Sequence, residues 1–333
     1  MTPILEVEGL VVEMTRHGVA FRAVDDASFS LERGGALAIV GESGCGKSLT
    51  LRAIMGLLPS GGRVASGRVV VDGVTLDTAA GGRGRGHSQR QRMSIVFQDA
   101  LSALNPVATV GNQIAEAPRH VLGFGRSASR QRALELLRLV GIPDPERRYR
   151  AYPHELSGGT RQRVMIAIAL SSDPAILLCD EPTTALDVTI QTQILALLAE
   201  LRAERGLSLV LVTHDLGVVS QVAERLAVMY TGRLVETGPT GAVLATPRHP
   251  YTAGLLAAAP NVDAPEYEPL AIPGSLPDPL RLPSGCTFHP RCRFATPECA
   301  TTDVRLEPVG PDHEAACLHS DELATTRAAG NRG

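Results

Sequence analysis

The chain has 333 residues, 44% hydrophobic and 20% charged, with a formal net charge of -3. That length allows one large or two modest domains with a sizeable core. The near-neutral balance, 3% aromatic content and absence of tryptophan argue against a nucleic-acid-binding surface. No run of ~18 apolar residues is present, and the N-terminal MTPILEVEGL lacks a basic region followed by an apolar core. The expectation is a cytosolic protein, or one bound to a membrane through a partner. In chain order, residues 4–40 read as a strand-rich part that ends in the apolar run ALAIV, Ala36–Val40.

GESGCGKS, Gly41–Ser48, follows at once and fits the P-loop pattern at every fixed position; LTLRAIMGLL after it reads as a helix. The strand–loop–helix context gives the pattern its meaning. Glycines let the backbone wrap around phosphate oxygens with N–H groups pointing inward, and the helix N-terminus adds partial positive charge. Lys47 is placed to reach the β- and γ-phosphates and Ser48 to offer its hydroxyl to Mg²⁺. Alone, the loop specifies ATP or GTP.

GRVVVDGVTL adds a strand. The Arg/Gly-rich stretch GGRGRGHSQRQR, Gly81–Arg92, is short and internal, and reads as a solvated loop. IVFQDALSALNP puts Gln98 at a strand end. A mainly helical segment, Val110–Ala151, contains SRQRALELLRLVGI with apolar residues at helical spacing. LSGGTRQR, Leu156–Arg163, is a Ser-Gly-Gly turn opening a helix, which taken alone fits an ordinary N-cap. AILLCDEP, Ala175–Pro182, is an apolar strand ending in Asp180 and Glu181, suited to the Mg²⁺ and water side of a phosphate site. ALD, Ala185–Asp187, leads into a helix. VLVTHD, Val210–Asp215, is another apolar strand, ending at His214; a lone His there is usually structural. LAVMYTGRLVETGP reads as a hairpin. No internal repeat is visible, so one such core is expected.

The C-terminal part is Pro-rich, and composition alone would allow a linker with incidental cysteines. Of six cysteines, Cys45 and Cys179 read as small space-fillers. Cys286, Cys292, Cys299 and Cys317 are clustered as C-x5-C-x6-C-x17-C. A reducing cytosol disfavours disulfides, so four thiolates suggest a metal site. The gaps exceed those of common zinc modules and fit a four-Cys [4Fe–4S] cluster. Spacing does not separate iron–sulfur from Zn²⁺, and His289 is a backup ligand. The tail is poor in large apolar residues, so metal–thiolate links are expected to order it.

Together these motifs resemble those of ABC-type ATPases: the P-loop, a Q-loop at Gln98, a signature turn at Ser157, Gly158 and Gly159, carboxylates Asp180 and Glu181, a D-loop at Asp187, and a switch histidine, His214, 33 residues past Glu181. Each occurs once, in the family's order. Thr160 stands where Gln or Met is more usual, and Ala100 where relatives often have Pro. The adenine-stacking residue is not placed; Met14 falls near its usual position and Phe21 is the aromatic nearby. PRHPYTAGLLAAAP, Pro247–Pro260, and IPGSLPDPLRLPSGCTFHPRC, Ile272–Cys292, resemble the extension of ATPase subunits from oligopeptide, dipeptide and nickel importers. The resemblance covers roughly residues 4–320.

It implies an α/β P-loop fold with a parallel-strand core, an N-terminal antiparallel β part and a helical signature subdomain about residues 110–172. The ATP-binding domain spans residues 4–245, the extension with its four-Cys site 246–322, and a disordered tail 323–333. It implies ATP on Gly41, Glu42, Ser43, Gly44, Cys45, Gly46, Lys47 and Ser48, Mg²⁺ on Ser48, Gln98 and Asp180, water activation by Glu181, and His214 on the γ-phosphate. Ser157, Gly158, Gly159 and Asp187 would complete the site of a second ATPase subunit, usually a different chain. Two transmembrane permease subunits and an extracellular solute-binding protein are the further implied partners, and this chain is implied to be peripheral at the cytoplasmic side of the cell membrane. The implied function is ATP-driven import of di- or oligopeptides, with nickel or another small solute as the alternative. The resemblance moves the cysteine site toward iron–sulfur. A DNA-repair ATPase would need a long coiled-coil insert, a translation factor two cores; an exporter would not carry the extension. A redox-sensing regulatory module stays open.

Overall fold

The computed structural model describes residues 2–77, 90–184, 186–259 and 270–323. Ala185 of the D-loop, Pro260, most of the Arg/Gly-rich stretch and the tail beyond Leu323 lie outside the described residues. The described strands form two sheets. The smaller is antiparallel and holds β1 (Leu5–Arg16), β2 (Val19–Leu31), β4 (Gly62–Val71) and β5 (Val74–Thr75) in the order β2-β1-β4-β5. The larger has eight strands: β3 (Ala36–Val40), β6 (Met93–Val96), β7 (Ile176–Asp180), β8 (Ser208–Thr213), β9 (Arg225–Tyr230), β10 (Arg233–Pro239), β11 (Glu307–Gly310) and β12 (His313–Ala315). Its order is β11-β12-β10-β9-β3-β8-β7-β6.

The central strands are short apolar runs because both faces of the sheet are covered. Every residue of β3, β7 and β8 is buried. The β3–β8, β3–β9, β7–β8 and β6–β7 pairs are parallel. One core layer lies between the two sheets and takes in Leu5, Leu10, Leu37, Ile39 and, from helix Lys47–Met55, Leu51 and Ile54. The other packs helices Arg126–Leu139, Gly158–Leu170 and Val188–Arg205 on the opposite face through Leu136, Ile166 and Leu198. β9 and β10 form an antiparallel hairpin whose turn, Thr231–Gly232, has positive φ at both residues, 45° and 84°. That geometry matches the twist of a two-residue hairpin and suits Gly at its second position.

The C-terminal part does not order itself as the cysteine spacing suggested. It extends the core sheet: β12 pairs with β10, and β11 pairs with β12. It also buries aromatic rings. Tyr251 and Tyr230 are 0% exposed and Phe288 3%; the ring centroids of Tyr230 lie 4.6 Å from Tyr251 and 5.2 Å from Phe288. Strand pairing and ring burial of this kind stabilise the segment. Glu236 of β10 ties the pieces together from a fully buried position. It accepts hydrogen bonds from the Arg248 and His249 N–H groups (2.7 and 3.0 Å) and pairs with His313 Nε2 (2.8 Å).

The metal expectation is corrected here. All six cysteines are free. Cys286, Cys292, Cys299 and Cys317 line one cavity with His289 and His319, but its volume is about 20 Å³. A cavity of that size holds about one water, not a four-iron cluster. Among the described residues no group of three or more His, Cys, Asp or Glu side chains is arranged to hold a metal ion. Burial pushes the thiols of Cys286, Cys292 and Cys317 up, the last to about 12. Cys299 Sγ lies 3.6 Å from His319 Nε2, and His289 Nδ1 lies 2.9 Å from the Cys286 carbonyl. The [4Fe–4S] cluster, and the zinc alternative with it, is set aside.

Candidate nucleotide site

The site forms where β3 meets helix Lys47–Met55. Gly46 has φ 111°, and a Cβ there would sit 2.6 Å from the Ala23 carbonyl. Only glycine allows that turn against β2. A Cβ at Gly41 would come within 2.2 Å of the Met229 carbonyl, so the loop also lies tight on β9. Lys47 is 3% exposed and donates to the carbonyls of Gly41 (2.7 Å) and Glu42 (2.9 Å). Its ammonium is thus fixed inside the loop.

The parallel strands deliver the remaining groups to the same edge, as open α/β sheets do at the C-terminal ends of their strands. β7 ends in Asp180, whose Oδ1 accepts from Ser48 Oγ at 2.6 Å. Burial pushes the Asp180 carboxyl above its usual range. Glu181 follows with φ 46°, a left-handed conformation that a non-glycine residue holds only where its surroundings enforce it. The turn brings its carboxylate back over the loop. Oε2 accepts from Gln98 Nε2 (3.0 Å) and Thr184 Oγ1 (2.8 Å), and lies 3.2 Å from His214 Nδ1; Oε1 lies 4.0 Å from Lys47 Nζ. Glu181 is 7% exposed, whereas the His214 side chain is 53% exposed. Ser43, Lys47, Ser48, Gln98 and Glu181 line a cleft of about 240 Å³.

The structure therefore brings Lys47, Ser48, Gln98, Asp180, Glu181 and His214 together. It does not bring in the signature turn: Ser157, Gly158 and Gly159 do not line the cleft. Ser157 and Gly158 are exposed. Ser157 caps helix Gly158–Leu170 by accepting from the Thr160 N–H, and Asp187 caps helix Val188–Arg205 by accepting from the Ile190 N–H at 2.9 Å. Cys45 is 1% exposed and fills space beside Lys47. Phe21 and Met14 face each other across the β1–β2 register.

Two contacts on the loop were not read from sequence. Arg291, in the extension, holds both carboxylate oxygens of Glu42 (2.7 and 2.9 Å). Tyr251 Oη accepts from the Glu42 N–H at 2.8 Å. The signal was present in the HPYT and PRC segments, but nothing local in sequence points them at residue 42.

This arrangement is that of an ATP-binding cassette. The "ABC transporter" family matches residues 24–184, and "Oligopeptide/dipeptide transporter, C-terminal region" matches residues 235–299. Solved structures of the same class superpose on the chain. CbiO1 of Clostridium perfringens, titled part of the ABC transporter complex cbiONQ, does so with TM-score 0.62 and 29% identity over 74% of this chain and 92% of that one. The cassette MJ0796, solved as a dimer bound to ADP and Pi, gives 0.61 and 27% over 71% and 98%. The dipeptide transport ATP-binding protein DppD of Escherichia coli is 43% identical over 94% of this chain and 96% of its own. The oligopeptide transport ATP-binding protein OppD of Mycobacterium tuberculosis is 48% identical over 99% of this chain, which spans 54% of that relative's length. The chain belongs to the oligopeptide/dipeptide family of ABC transporter ATP-binding proteins.

Proposed function

We propose that this chain is an ATP-hydrolysing subunit that powers import of di- or oligopeptides. The observation that carries the reading is the Glu181 carboxylate, held by Gln98, Thr184 and His214 at the mouth of the P-loop cleft. A carboxylate so placed orients and deprotonates a water for attack on phosphorus. Lys47 holds the phosphates, with Gly41–Gly46 N–H groups around them, and His214 contacts the γ-phosphate. Ser48, Asp180 and Gln98 would hold Mg²⁺; the paired Ser48 and Asp180 oxygens are the hard donors that ion takes. When bound, Mg²⁺ neutralises charge on the phosphate oxygens.

The exposed signature turn lies off its own cleft, which supports a composite site: Ser157, Gly158 and Gly159 reach ATP held by a second ATPase subunit, and Asp187 lies at the same junction. The names of the relatives support peptides as the solute and a membrane transporter as the setting. Two permease subunits and an external solute-binding protein complete the assembly, with this chain peripheral at the cytoplasmic face. No described helix is long and apolar enough to cross a membrane. The test is ATP turnover by the purified chain alone and again with a second ATPase subunit and the membrane subunits. The expected result is low activity alone and clear activity in the complex. Full activity of a strictly monomeric chain would refute the composite site.

A further inference from the structure

The phosphate cleft has a neighbour. A cavity of about 170 Å³ shares Gly44, Gly46 and Leu49 with it. Phe21 and Ala23 of β2 form one wall, and Leu276, Pro277 and Leu282 of the C-terminal extension form another. Leu276 reaches the P-loop itself: a Cβ at Gly44 would stand 3.7 Å from its Cδ2. It also packs against both core layers. Leu282 remains 39% exposed, an apolar rim left open to solvent.

The extension is held over the loop by specific bonds. Arg291 Nε donates to the Pro273 carbonyl at 2.8 Å while its two Nη groups hold Glu42. One guanidinium thus joins the start of the strap to the second residue of the P-loop. Farther along, Arg281 N–H donates to the Asp278 carbonyl (2.8 Å) and Asp278 Oδ1 accepts from Leu280 N–H (3.1 Å), closing a turn between Leu276 and Leu282. A chamber continuous with a phosphate cradle, with an aromatic ring on one side and aliphatic groups on the other, suits a flat group with apolar faces. The base of a nucleotide is such a group.

We propose that the C-terminal extension completes the nucleotide site: Leu276, Pro277 and Leu282 form the wall against which the base lies, opposite Phe21. The inference rests on the reading of the P-loop as the phosphate site. The extension then links base recognition to the fold of the whole C-terminal part, through Arg291 and the ring cluster around Phe288.

Titration calorimetry on the full chain with ATP and with inorganic tripolyphosphate tests it, in wild type, Leu276→Ala and Leu282→Ala. Removing one apolar wall contact should raise the ATP dissociation constant about tenfold and leave tripolyphosphate binding unchanged. The tripolyphosphate result also reports whether the variants keep a formed P-loop. Unchanged ATP affinity in both variants would overturn the proposal. So would an equal loss for both ligands, which would assign the strap to supporting the loop. Wild-type protein that binds tripolyphosphate as tightly as ATP overturns the base wall and spares the phosphate reading, whereas wild type that binds neither overturns both.

Discussion

Glu181 is held in a strained backbone conformation with its carboxylate shared among Gln98, Thr184 and His214. Glu181→Gln keeps the volume and most of these contacts but removes the carboxylate proposed as the base. Steady-state ATPase in the assembled complex should fall by roughly 10²–10⁴-fold while ATP binding persists; near wild-type turnover would remove Glu181 from the role. Lys47→Ala removes the buried charge proposed to hold the phosphates and should weaken ATP binding roughly 10- to 100-fold, measured by calorimetry. Equal affinities would remove Lys47 from the cradle. The Arg291–Glu42 pair is only partly buried, with Glu42 31% exposed. A double-mutant cycle with Arg291→Met and Glu42→Gln, followed by urea unfolding, should therefore give a coupling of only about 1–2 kcal/mol. A coupling indistinguishable from zero would mean that the two side chains do not stabilise each other.

At the scale of elements, helix Pro250–Ala258 depends on one imidazole. His249 Nδ1 accepts from the Tyr251 N–H at 3.1 Å, and burial lowers the His249 pKa to about 3. The cap needs an unprotonated nitrogen. Because the folded value lies below the unfolded one, this residue's contribution is intact above the unfolded pKa, about 6.5. It is lost progressively as pH falls toward the folded value. The loss should be ~2 kcal/mol between pH 6.5 and 5. His249→Asn keeps a capping oxygen without the titration, so its stability should fall less over that range, as read by thermal melts. Identical pH profiles for the two proteins would contradict the assignment. The elements legible in sequence were those whose chemistry fixes residue type at short spacing: ALAIV before the P-loop, the strand ending at Asp180, the Ser157 cap. β11 and β12 were not legible. Residues 307–315 have little apolar alternation, and their order comes from an edge of β10 far away in the chain. The cysteine cluster misled for a related reason: spacing reported proximity correctly, but the cavity that the four thiols line is only about 20 Å³.

At the scale of the molecule, the extension is part of the same packed body as the cassette. Tyr251, Tyr230 and Phe288 join its core, Glu236 gathers its strands, and Arg291 reaches the P-loop. The cassette supplies one cleft and one signature turn that do not meet, which is why its activity is expected only in an assembly. The most direct measurement is uptake of a labelled tripeptide into ATP-loaded proteoliposomes carrying the whole transporter and its binding protein, with wild-type chain and with Glu181→Gln. Accumulation that depends on ATP and stops in Glu181→Gln is the predicted result. Equal accumulation with the two chains, or none with wild type despite ATP turnover, would contradict the account.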